Sequence, residues 1–88
     1  MTIRWSRRAL SDVAGIYAYI AADSAEAAVR LADRLLSAVE GLARFPQMGR
    51  SGRLAGRREL VVERYVVTYA VRRGEVHILA VEHGAQRR

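Results

Sequence analysis

Residues 58–83 read RELVVERYVVTYAVRRGEVHILAVEH, and the period of this stretch decides the fold. Apolar and β-branched side chains recur at every second position in three runs: RELVVE (58–63), YVVTYAVR (65–72) and EVHILAVEH (75–83). Period-2 alternation of such residues predicts strands. Between the last two runs, RRGE supplies Gly74, which a tight hairpin turn needs where the backbone turns left-handed. Tyr65, Val67, Tyr69 and Val71 would then share one face of the sheet, and Val66, Thr68 and Ala70 the other. Both faces carry apolar side chains, so helices are expected on one side and some other cover on the second.

Upstream lies FPQMGRSGRLAGRREL, Phe45–Leu60, with the only proline, three of the seven glycines and four of the fifteen arginines. Before it the period is helical. Leu10, Val13, Ile16, Tyr17 and Ile20 form one apolar stripe, and Ala28, Leu31, Ala32, Leu35, Val39 and Leu42 another. Ser6 is placed to cap the first helix, and Asp23 or Ser24 the second. Pro46 is expected to end the second helix, while Glu26 with Arg30 and Glu40 with Arg44 are i, i+4 pairs on its wet side. So short a join predicts an antiparallel helical hairpin. Thr2–Trp5, TIRW, alternates and reads as a first strand. The expected fold is α+β, in the order β-α-α-β-β-β: an antiparallel sheet with an N-terminal antiparallel helical hairpin packed on it.

With 88 residues, one domain spanning 1–88 is expected, because two cores would each bury too little apolar surface. There is no cysteine, which rules out disulfides and thiolate metal sites and fits a reducing cytoplasm. No run reaches the roughly 18 apolar residues of a membrane span, and no targeting segment is expected. All the positive charge is arginine. Residues 1–44 hold six arginines against five acids, and residues 45–88 nine against four, so the second half is the anion-seeking half.

Arg50, Arg53, Arg57 and Arg58, spaced by glycines, suit two-pronged pairing with phosphate or carboxylate. Tyr65 and Tyr69 are candidates to stack on bases. His83, where the last strand ends, is a candidate proton carrier for phosphodiester chemistry, histidine being the side chain that exchanges protons near neutrality. Period 2 puts His77 and His83 on one face but about 20 Å apart, too far to share a metal ion. No phosphate-binding glycine fingerprint, nucleophile triad or carboxylate pair is present, and no cofactor or metal is expected.

The segments IRWSRRALSDVAGIYAYIAADSAEAA, FPQMGRSGR, GRREL, VVTYAV and VHILAVEHGAQ, covering Ile3–Gln86, resemble the RelE/ParE toxins of bacterial type II toxin-antitoxin modules. The resemblance implies a small cytoplasmic toxin of this same strand and helix order. Its partner would be a cognate antitoxin, whose acidic C-terminal segment wraps the toxin and whose N-terminal part binds operator DNA; the toxin would reach the operator only through it. One branch of the family is similar to ribosome-dependent mRNA interferases. For that branch the resemblance implies Arg50, Arg57 and Arg64 as charge stabilisers and His83 as proton carrier. The ParE-like branch inhibits DNA gyrase by binding. Three departures favour it: Ala80 stands where many relatives carry an arginine, RYVVTY lacks a proline common before that strand, and GAQRR lacks aromatic residues after the histidine. The favoured reading is a ParE-like, non-catalytic toxin; the alternatives are an mRNA interferase and, outside the family, a small non-toxic RNA-binding module.

Overall fold

The computed structural model describes residues 1–86. Strand β1 (Thr2–Trp5) leads into helix α1 (Arg7–Ala21), which a tight turn joins to helix α2 (Ala25–Gly41). Ser6 Oγ accepts from Ala9 N at 3.0 Å and Ser24 Oγ from Ala27 N at 3.1 Å, so each helix begins on a serine that satisfies an otherwise orphaned amide. The regular part of α2 stops at Gly41, before the expected boundary at Pro46, although Phe45 N still donates to Gly41 O at 2.9 Å and extends the turn. The expected pairs Glu26–Arg30 and Glu40–Arg44 do not form among the described residues. Arg34 instead reaches across to Glu63 at 2.7 Å.

Strands β2 (Arg50–Ser51), β3 (Arg58–Val62), β4 (Tyr65–Arg72) and β5 (Glu75–His83) follow, and a short 3-10 turn covers Gly84–Gln86. The sheet order is β1-β5-β4-β3-β2. The predicted meander is present, antiparallel throughout, and β2 pairs antiparallel with β3 at its edge. The sheet as a whole is mixed, because β1 lies parallel to β5. Alternation reports which face a side chain takes and carries no information on strand direction. At two residues, β2 is too short to show any period. Arg73 and Gly74 both have positive φ, 52° and 75°, which makes the β4–β5 connection the two-residue left-handed turn the sequence predicts.

The hairpin covers one face. Ala28, Leu31, Leu35, Val39 and Leu42 of the α2 stripe are buried as expected. The α1 stripe is Ala9, Val13, Ile16 and Ile20; Leu10 and Tyr17, expected inside, are exposed. Ala9 has no accessible surface, so a small side chain seats the helix close to the sheet where a larger one was expected. Tyr65, Val67, Tyr69 and Val71 do share the helix-facing side and pack in or against the core. No helix packs on the opposite face among the described residues, yet Glu59, Val66, Ala70 and Ala80 on it are buried, and the loop with Arg53, Leu54 and Arg57 comes against it.

A β-bulge interrupts β5. Tyr69 pairs with Ile78 but the preceding Thr68 pairs with Ala80, leaving Leu79 as the extra residue. The alternation therefore slips by one, so that Val76 and Ile78 before the bulge and Val81 after it all enter the core. His77 and His83, expected on one face, lie on opposite faces. Beyond the end of β1, α1 protects the exposed edge of β5: Ser6 Oγ donates to Leu79 O at 3.1 Å, and Asp12 Oδ2 accepts from Val81 N at 2.8 Å.

Candidate functional site

The basic segment between α2 and β3 is held down from below by Tyr69. This tyrosine is completely buried; its Oη donates to Pro46 O at 2.8 Å and accepts from Gly49 N at 2.9 Å. Gly49 has no space for a side chain, since a Cβ there would stand 2.6 Å from Tyr69 Oη and 2.8 Å from Glu59 O. Arg58 Nη1 donates to Gly49 O at 2.8 Å, and Arg50 Nη2 meets the buried Glu59 carboxylate at 3.3 Å across β2 and β3. Gly52 N donates to Arg57 O at 2.7 Å, closing the loop that carries Arg53. Tyr69 is thereby removed from the base-stacking candidates, and Arg50 and Arg58 spend their donors at least partly on the fold.

Arg53 and Arg57 reach a different place. With Arg8 from the start of α1 they line a cavity of about 200 Å³ on the face of the sheet opposite the helices, where Leu54, Leu79, Thr68, Ala80 and the carboxylates of Glu59 and Glu82 also contribute. Arg8 is fixed there by Glu82, at 3.1 Å, and by Asp12, at 3.5 Å. No histidine or tyrosine lines this cavity. Elsewhere on the face Glu75 is held between Arg4, at 3.0 Å, and His77, at 3.2 Å.

Arg64, Tyr65 and His83 come together on the helix side, at the end of a groove of about 1190 Å³ between the hairpin and the sheet. Ile16, Ile20, Leu31 and Val81 supply its apolar lining, while Arg30 and Arg34 of α2 stand along it. The Tyr65 and His83 rings meet edge to face, with centroids 5.3 Å apart. Ala85 N donates to His83 Nδ1 at 3.1 Å. In the neutral ring this bond favours the tautomer with the proton on Nε2.

The four residues nominated for catalysis do not converge. Arg57 lines the outer cavity, Arg64 and His83 the helix-side groove, and Arg50 is engaged with Glu59. Sequence reasoning did not single out Arg8, Arg30 and Arg34, which line these two cavities; the local signal was their position on helix faces free of the apolar stripe. It also missed the groove, which exists because two helices and a strand end lie side by side.

The family model for the ParE toxin of the type II toxin-antitoxin system parDE matches residues 3–88. The chain belongs to the ParE toxin family. It is a type II toxin, and its partner is a cognate antitoxin, which sets aside the non-toxic RNA-binding module. The toxin is 43% identical over 86 residues to the protein Y4kP of Sinorhizobium fredii, covering 96% of this chain and 88% of that one. Toxin RelE2 of Caulobacter vibrioides is 42% identical over 82 residues, with 93% of each chain covered. Among solved structures, a chain of the chromosomal ParDE TA system from P. aeruginosa superposes with a TM-score of 0.82 at 25% identity, covering 94% of the toxin and 95% of that chain. The α+β fold of the toxin, a helical hairpin on a mixed five-stranded sheet, matches that structure. No helix among its described residues is long and apolar enough to cross a membrane.

Proposed function

We propose that this ParE-family toxin acts in the cytoplasm by binding DNA gyrase, without catalysing a reaction of its own. The observation that carries this reading is the separation of its candidate catalytic groups. Cleavage of RNA by attack of a ribose 2′-hydroxyl on the adjacent phosphorus, with the next nucleotide's 5′-oxygen leaving as it gains a proton, needs cations and a proton carrier around that one phosphorus atom. Here the arginines of the outer cavity have no histidine or tyrosine beside them, and His83 sits on the far side of the sheet with Nδ1 already engaged. Ala80, where an arginine would add charge to the outer cavity, has only a methyl group. The test is to incubate the toxin with gyrase and relaxed plasmid, and separately with a translating extract. Inhibited supercoiling without message cleavage is expected; ribosome-dependent cleavage of messenger RNA would overturn the reading in favour of an mRNA interferase.

The antitoxin, in this reading, neutralises the toxin by laying an acidic, amphipathic segment into the helix-side groove. Ile16, Ile20, Leu31 and Tyr65 offer apolar contact, and Arg30 and Arg64 offer charge along the same groove. Tyr19, 79% exposed, stands in the same groove. Combining Tyr19→Ala with Arg30→Glu is therefore expected to weaken antitoxin binding about tenfold or more, or about 1.4 kcal/mol. Both side chains are exposed, so the free toxin should melt within about 0.5 kcal/mol of wild type. Titration calorimetry on the purified toxin and antitoxin checks this, and unaltered affinity would place the antitoxin elsewhere.

A further inference from the structure

We propose that the face of the sheet opposite the helices, through Arg53 and Arg57 beside Arg8, is a contact for the phosphate backbone of double-stranded DNA. The site is assembled from three separate parts of the chain. Arg8 projects from the first turn of α1, and Arg53 and Arg57 come from the loop whose base is bonded through Gly49 N to Tyr69 Oη and through Gly52 N to Arg57 O. Thr68 brings a hydroxyl to the same cavity, and the short side chains of Thr68 and Ala80 leave it open. Cations and hydroxyls on a fixed frame are the groups that position proteins on a nucleic-acid backbone.

The acids of this face do not oppose such a ligand. Glu82 is paired with Arg8, Glu59 with Arg50, and Glu75 with both Arg4 and His77. The chain as a whole carries +6, which favours approach of a polyanion. A peptide partner would need an apolar anchor buried in a pocket; here the cavity is small, Leu54 beside it is largely exposed, and three arginines and two carboxylates make up most of its lining. The helix-side groove holds the larger apolar lining. A single strand would need aromatic platforms for its bases, but Tyr65 and Tyr69 both point to the helix side, and no aromatic residue lines the outer cavity. A duplex presents its phosphates outward and needs neither.

The inference stands apart from the gyrase reading, because it concerns bare DNA and the toxin alone. Anisotropy of a labelled duplex of about 20 base pairs, and of a labelled single-stranded RNA of equal length, would be followed from about 50 to 200 mM salt with the free toxin. Phosphate contacts from Arg53 and Arg57, with the charge of Arg8 already offset by Glu82 and Asp12, predict a slope of log K against log salt of about −1.8 on duplex DNA. Arg53→Gln and Arg57→Gln should each reduce the slope by about 0.9, and the double variant should lose tenfold or more in affinity at about 50 mM. Arg30→Gln, the same loss of charge in the other groove, should leave the slope within about 0.3 of wild type. Absent duplex binding at about 50 mM salt, tighter binding to the RNA, or equal losses for Arg30→Gln and the loop variants would each overturn the proposal. Gyrase inhibition is not read in this assay, so failure of either proposal leaves the other standing.

Discussion

Leu35→Ala should unfold a large fraction of the free toxin at temperatures where the wild type is intact. Leu35 lies at the centre of the buried stripe of α2, is 2% exposed, and belongs to the one core that both helices and the sheet build. Truncation removes the transfer energy of three carbons and leaves a cavity that flanking Leu31 and Val39 cannot fill without moving the helix, for a cost of about 2–5 kcal/mol. A domain of this size is stabilised by only about 4–13 kcal/mol in total. The melting temperature should therefore fall by about 10–25 °C. Thermal unfolding of the free variant by circular dichroism checks this, with Leu36→Ala alongside. Leu36 is 48% exposed, and its truncation should change stability by no more than about 0.5 kcal/mol. A fall of less than about 3 °C for Leu35→Ala would mean that the observed register of α2 is wrong. Antitoxin, binding only the folded form, should recover part of the loss by mass action.

Gly49→Ala is expected to have the second large effect, through close contact and not through a cavity. The added methyl would stand 2.6 and 2.7 Å from Oη and Cε1 of Tyr69 and 2.8 Å from the Glu59 carbonyl. Neither neighbour can retreat, since Tyr69 is fully enclosed and Glu59 is paired within the sheet to Thr68 and Arg50. The segment must lift, at a cost of about 1–3 kcal/mol for the overpacking. Losing the Gly49 N–H bond to the buried hydroxyl adds to this. A lifted loop also releases Arg50, Arg53, Arg57 and Arg58 as trypsin sites, so limited proteolysis should cut there well before the rest of the chain opens. Because Tyr69→Phe removes the nearest clashing atom, the two substitutions should be less than additive by about 0.5 kcal/mol or more. Strict additivity, or a loop as resistant to trypsin as wild type, would show that the tyrosine does not hold it.

Much of the fold was legible because it rests on local period. The three strands after the basic segment, the left-handed turn at Gly74, the serine caps and the α2 stripe all depend on residues within a few positions of one another. Errors arose where a small residue carried a long-range contact. Ala9, and not Leu10, is the buried residue at the start of α1, because helix-to-sheet approach is set by the whole packing and not by the hydrophobicity of one side chain. The glycine-arginine segment was visible as unusual in composition, yet its chemistry was not. Arg50 and Arg58 are bonded to Glu59 and to Gly49 O, partners identifiable only once β2 and β3 are paired.

By itself, then, the sequence determined the order of elements, the alternation that builds the core, the excess of positive charge in the second half and the resemblance to toxins of the RelE/ParE group. Those properties are written in spacing and residue type. Tertiary structure alone decided which side chains share a surface. The bulge at Leu79 turns His83 away from the face that His77 occupies, and so away from Arg57. Tyr69, a candidate for base stacking in the sequence, is buried beneath the basic loop and anchors it, and the parallel seat of β1 on β5 follows from how the chain's two ends meet. For the histidines the physical reason is that period 2 fixes a side chain's face only while the ladder is unbroken, and where it slips depends on the strand opposite; the Tyr69 and β1 contacts join segments far apart in sequence, which no local period reports.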